Sequence, residues 1–352
     1  QHQTVSLEQS YANGGELNGY KVTYQENEDL SGLGLADAEE RREFALAGLK
    51  GGWMQESERM IEEQFGLIGS GQSINIDFVD ASDSAALGTP AAFVSGFNGD
   101  TSLRMHIDLN DFDDTNSPDG GTPNMYSDRI IAHEMVHVAM FATGLFQGAA
   151  SDAWFNEGAA ELIHGAADTR LANDSDADLQ THLDNALNSS IDYGGAYLAA
   201  AFLHEEIKDA GGTGIKDLFT ALQAGDSFNG ALVDLTRFNT RQEFADALTG
   251  ADGNTDGLDL AKRLRDTAAL TGDSGAVGGS ILDGGPVQNA RDIVANESYS
   301  TEDKKGGQKI DFHIGAGAED NLGMYVGSFN VDAMGLRNID LTSHSKVDFA
   351  LS

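Results

Sequence analysis

The hydrophobic period changes from two to about 3.6 between residues 103 and 142, and that change narrows the choice of fold more than anything else in the chain. Leu103, Met105, Ile107 and Leu109 point one way, and Arg104, His106, Asp108 and Asn110 the other. Such alternation is a strand with one buried face. Ile131, Met135, Val138 and Ala142 then recur at helical spacing. Upstream, YKVTY, SINIDFVD and AAFVSGF read as further strands. ADAEERREFALAGL and GGWMQESERMIEEQFGLIG read as helices. In the second, Trp53, Ser57, Met60, Ile61 and Phe65 share one face, with a break at Gly51 and Gly52. Helical patterns dominate from the DDTNSPDGGTPN loop to about residue 270, and TGDSGAVGGSILDGGPVQNA reads as linker or irregular loop. Few strands beside many helices make an α+β chain.

Acidic residues number 57 against 21 lysines and arginines, a formal charge of −36. That balance repels nucleic acid and anionic membrane, so neither is expected as a partner. No cysteine is present, which removes disulfides, thiolate metal sites and cysteine nucleophiles together. The stretch QHQTVSLEQS has no basic segment leading into an apolar one, so it does not read as a signal peptide.

RIIAHEMVHVAM carries His133 and His137 one helical turn apart, on a face other than the apolar stripe. Both imidazoles reach one point in space. Glu134 is about 100° round the helix, close enough to touch a water held there. Zinc takes neutral imidazole and carboxylate ligands, and a catalytic site leaves one position for water. A carboxylate beside that water, not bound to the metal, accepts its proton. Two ligands need a third. SDAWFNEGAAELIHG, downstream, reads as a second helix with Glu157 and Glu161 one turn apart. Glu157 completes a His, His, Glu set, and Glu161 and Asn156 are placed to hydrogen-bond the outer imidazole nitrogens.

HEMVH followed by NEGAAE resembles the gluzincin metallopeptidases. The resemblance implies zinc ligands at His133, His137 and Glu157, a general base at Glu134, and supporting roles for Asn156 and Glu161. SSIDYGGAYLAAAFLHEEIKDAGG resembles the tyrosine-bearing helix of clostridial-type collagenases, which implies that Tyr193 stabilises an oxyanion. Tyr197 and His204 compete for that role. In gluzincins an edge strand pairs with extended substrate, and SLRMHIDLNDF, residues 102–112, is the expected edge here. The implied fold is a zincin, and the implied activity is a zinc endopeptidase acting on proteins and peptides.

Asp252, Asn254 and Asp256 begin an EF-hand-type calcium loop, but Arg263 stands where a bidentate glutamate is expected. Asp259 is the substitute ligand, and an Asx-rich turn is the rival reading. At the other end of the chain Ile310, Phe312 and Ile314 alternate, and IGAG (314–317), DAMGL (332–336) and IDLTS (339–343) resemble the β segment of bacterial flagellins. Taken together, the two resemblances imply a peptidase of the flagellinolysin kind, set in the variable region of a flagellin. Its partners would be other flagellin subunits in an extracellular filament, reached without a cleaved signal peptide. The expected organisation is a flagellin-side strand and linker at 1–35, the peptidase at 36–270, a linker at 271–305 and the flagellin-like β segment at 306–352. A catalytically silent surface module and a free secreted protease are the alternatives.

Overall fold

The computed structural model describes residues 17–25, 29–79, 91–113, 120–121, 125–149, 151–188 and 191–277 in full, and the backbone of 308–313 and 321–326. Among them the chain is α+β, with a mixed four-stranded sheet and ten α-helices. Strands β1 (Tyr20–Tyr24), β2 (Gln72–Val79), β3 (Ala92–Ser95) and β4 (Ser102–Asp108) lie in the order β1-β2-β4-β3. β1, β2 and β4 are parallel, and β3 runs antiparallel to β4. The register sets Ile74 beside Leu103, Ile76 beside Met105 and Phe78 beside Ile107, all buried. This is the apolar face that the alternation demands. On the opposite face Arg104 bonds Asp77 at 2.6 Å.

One expectation is overturned. The 102–112 segment is not the edge of the sheet, because β4 lies between β2 and β3. The turn after β3, closed by the Asp100 carboxylate accepting from the Phe97 amide at 2.7 Å, folds β3 back onto the open side of β4. The edge strands are β1 and β3, and β3, from AAFVSGF, is the one on the β4 side.

Helices α1 (Ala38–Gly48) and α2 (Met54–Phe65) join β1 to β2 across a π-helical segment, Leu49–Trp53. Its kink is at Gly52, whose φ of 146° no L side chain adopts easily. Helix α3 (Ser127–Thr143) packs on α2, β3 and β4 through Ile131, Met135 and Val138, all fully buried. Ser127 is its first residue, and Tyr126 takes the cap position in extended backbone. Then come α4 (Ala153–His164), a second π-helical segment (Ala167–Leu171), α5 (Asp176–Asn185) and α6 (Tyr193–Asp209).

α4 lies between α3 and α6. It meets α6 so closely at Gly158 that a Cβ there would stand 2.3 Å from the Ala196 carbonyl oxygen. Gly158→Ala would gain about 1 kcal/mol in helix propensity. Overpacking against backbone costs about 1–3 kcal/mol. The expected result is a net loss of roughly 1 kcal/mol with α6 pushed outward, read as a lower urea midpoint; a raised midpoint would contradict this packing.

Helices α7 (Ile215–Gln223), α8 (Phe228–Leu235), α9 (Arg241–Thr249) and α10 (Asp256–Thr271) complete the helical half. An aromatic cluster of Trp154, Phe155, Phe219, Phe228 and Phe244 ties it to α4, with ring centroids 4.9 to 6.3 Å apart. After α10 the chain returns as a buried strap, residues 273–277. The Ser274 carbonyl accepts from the Ala167 amide at 2.9 Å, and the Val277 amide donates to the Leu162 carbonyl at 3.0 Å. The packed body thus runs to Val277, beyond the boundary expected at residue 270. Glycine-rich composition reads as linker, but the first residues of this stretch satisfy backbone groups at and beyond the end of α4.

Strands β5 (Gln308–His313) and β6 (Asn321–Val326) form an antiparallel pair of their own. The IGAG, DAMGL and IDLTS stretches lie outside the described residues. No described helix is long and apolar enough to cross a membrane.

Candidate metal centre

α3 presents His133 and His137 one turn apart, with ring centroids 4.9 Å apart and planes 81° to each other. Their Nε2 atoms approach to 3.2 Å. Glu157, from the second turn of α4, places Oε2 at 3.2 Å from His133 Nε2 and 3.4 Å from His137 Nε2. Three donor atoms thus form a nearly equilateral triangle. Zinc bonds of about 2.0–2.1 Å in tetrahedral geometry require ligand atoms about 3.3 Å apart. The triangle matches that edge.

The electrostatics of the site favour positive charge at this point. Burial disfavours a cation on His133, yet its hydrogen bonds to Glu157 and Glu161 and the charge of Glu134 win, and its pKa stands well above the ordinary value. For Glu157, burial acts to raise the pKa, but the histidine charges and hydrogen bonds hold it far below the usual carboxylate range. Glu161, nearly inaccessible at 2% exposure, is likewise held down to about 2; burial opposes this, and the His133 hydrogen bond with the His164 and Arg170 charges outweighs it.

Glu161 Oε1 lies 3.5 Å from His133 Nδ1 and 3.2 Å from Arg170 Nη2; Oε2 lies 3.7 Å from His164 Nε2. It faces the outer nitrogen of the His133 ring, where a carboxylate can fix the ring's orientation. Asn156 does something different from the expected bond to an imidazole. Its Oδ1 accepts from the Gln147 amide at 2.8 Å, and its Nδ2 donates to the Gln147 carbonyl at 3.0 Å. This two-pronged clamp shapes the loop after α3, whose Phe146 ring stands edge-on to His137 at 5.7 Å.

Glu134 is buried, and its Oε2 has no hydrogen-bond partner among the described residues. Burial pushes its pKa up, against the pull of His137 and His133 and a hydrogen bond from the Val94 backbone. Val94 belongs to β3, so the outward edge of that strand borders the carboxylate. Tyr193 opens α6 with its ring 6.2 Å from that of His133 and 42% exposed. Burial, then the nearby Glu157, Glu161 and Glu134 charges, push its pKa up to about 12, so it stays a donor near neutrality. Tyr197 is excluded from that role, because its hydroxyl donates to the Gly275 carbonyl at 2.9 Å deep in the core. His204 is engaged too, its Nδ1 accepting from the Ile215 amide at 3.2 Å.

No family model, no curated protein and no solved structure matches this chain. The reading of the site rests on its own geometry.

Two other sets of acids were candidates for metal. His133, Glu161 and His164 also lie within metal-binding reach of one another. That set shares His133 with the first, and Arg170 already supplies a cation to Glu161. At 252–259, among the described residues, no three acids converge on one point. Asp252 caps an Asx turn, accepting from the Asn254 amide at 3.0 Å; Asp256 pairs with Arg237 at 2.6 Å; Asp259 accepts from Thr255 at 2.7 Å. Asp256 and Asp259 line a cavity of about 590 Å³, where Arg237 and Arg263 provide the countercharge. The rival Asx-turn reading describes this segment.

Arg170, His164 and Phe146 were not singled out from sequence. Arg170 follows a helix end by several residues and carries no period or motif that marks it.

Proposed function

We propose that this chain is a zinc-dependent endopeptidase of zincin architecture, hydrolysing peptide bonds in extracellular proteins from the outer face of a flagellar filament. The carrying observation is the triangle of His133, His137 and Glu157 with the unpartnered, buried Glu134 oxygen beside it. The donor set fits zinc in type and spacing, and the free oxygen fits a water between carboxylate and metal. Zinc, when bound, supplies the positive charge that lowers the pKa of a water towards neutrality and polarises the scissile carbonyl.

The chain's own residues do the rest. Glu134, with its raised pKa, takes the proton of the attacking water and returns it to the leaving nitrogen. Tyr193 donates a hydrogen bond to the developing oxyanion. The outward edge of β3 offers backbone groups to an extended peptide, which favours cleavage within a chain and tolerance of sequence. The filament placement is supported by the flagellin-like tail, the acidic charge and the lack of cysteine.

The test is zinc content combined with cleavage of a peptide library, with and without added zinc. A single zinc ion per chain and internal cleavage lost to a chelator are expected. His137→Gln should weaken zinc more than the 10–100-fold or so typical of a lost supporting group. Isolated filaments bearing the chain should cleave the same peptides. A protein that takes up no zinc under these conditions would end the proposal.

A further inference from the structure

The geometry points to Arg170 as a positioning residue that clamps the zinc-orienting carboxylate and the catalytic phenol in one grip; this rests on the zinc-peptidase reading. Its Nη2 lies 3.2 Å from Glu161 Oε1, the same oxygen that stands 3.5 Å from His133 Nδ1. Its guanidinium carbon lies 5.0 Å from the centre of the Tyr193 ring, within cation–π range. One flat cation therefore touches both the group that aims a metal ligand and the group that meets the oxyanion.

The segment bearing Arg170 is anchored with unusual firmness. It is π-helical, a geometry that often marks functional positions. Asp168, two residues before, is paired with buried Arg129 of α3 at 2.8 and 2.9 Å. Ala167 is held by the strap through Ser274. Contacts from α3 and from the strap thus hold Asp168 and Ala167, two and three residues before Arg170. A guanidinium suits the task because its planar fork serves a carboxylate at its edge and an aromatic ring at its face. Without it, Glu161 loses a donor and Tyr193, already 42% exposed, loses the cation on its ring face.

The experiment compares wild type, Arg170→Met, Arg170→Lys and Tyr193→Phe, alone and combined, in the full chain. Zinc affinity is measured by competition with a chelator, and kcat and KM on a quenched peptide. Arg170→Met should weaken zinc about 10–100-fold, as removal of an outer partner does. With zinc saturating, kcat should fall while KM stays within about twofold, since Arg170 acts through Tyr193 rather than on substrate. In the Tyr193→Phe background the loss in kcat should shrink, while the loss in zinc affinity should persist. Arg170→Lys, which keeps a cation at the same place, should recover part of both. Unchanged zinc affinity and kcat in a normally folded Arg170→Met protein overturns the clamp and leaves the peptidase reading standing. So does an Arg170→Lys protein that regains thermal stability but neither function. Failure of the wild type to bind zinc overturns both.

Discussion

Glu134→Gln is expected to leave zinc uptake intact and to lower peptide cleavage by about a hundredfold to ten-thousandfold, the range for loss of a general base. The side chain keeps its volume and its place beside the two imidazoles. Its buried environment suits a neutral amide, since burial already pushes the Glu134 carboxyl towards its neutral form. The substitution should therefore cost little stability. What it removes is the capacity to accept a proton. The sign of the pH effect follows: in wild type the rate rises with pH as Glu134 ionises, and that acidic limb should vanish in the variant. Zinc content, melting temperature and kcat/KM on one preparation decide the matter. Wild-type cleavage by a zinc-loaded Glu134→Gln protein would remove the carboxylate from the mechanism.

The largest expected effect on stability comes from Asp168→Asn. Arg129 is 2% exposed, and Asp168 takes both of its terminal nitrogens, while the His164 and Gly165 carbonyls receive further bonds. Removing one partner of a buried pair leaves a charge without compensation, at about 3–5 kcal/mol. Against a typical total of about 5–15 kcal/mol this is a large fraction. A fall in melting temperature on the order of 10 °C is expected for a body of this size. Joint replacement, Arg129→Met with Asp168→Leu, should regain much of it, because apolar packing often matches a buried ion pair. A double variant no more stable than Asp168→Asn would mean that the pair does more than cancel its own charge. Zinc affinity should fall with Asp168→Asn, as the Ala167–Leu171 segment loosens.

The local periods were legible in sequence, and the lateral order of the strands was not. The alternation of Leu103, Met105 and Ile107 marks a buried face, and these residues are buried. The same alternation is silent on neighbours, and β4 turned out to be internal because a tight turn brings β3 against it. The spacing of His133, His137 and Glu157 announced a convergence that the backbone achieves. Asn156 was misplaced because an amide one residue from a ligand faces a different direction on the helix, here towards Gln147. Arg170 escaped notice because its partners, Glu161 and Tyr193, are distant in sequence and are joined only by the packing of α4 against α6. The Asx turn at Asp252 shows the converse: spacing suited to a cation, with the countercharge supplied by an arginine from elsewhere.

The strap of residues 273–277 closes the end of α4 from outside the helix. Its Val277 amide takes up the Leu162 carbonyl, one residue after Glu161, so the last turn of α4 is completed by chain that arrives only after α10. The carboxylate that faces His133 is thereby tied to the far end of the helical half, and loosening the strap would loosen it.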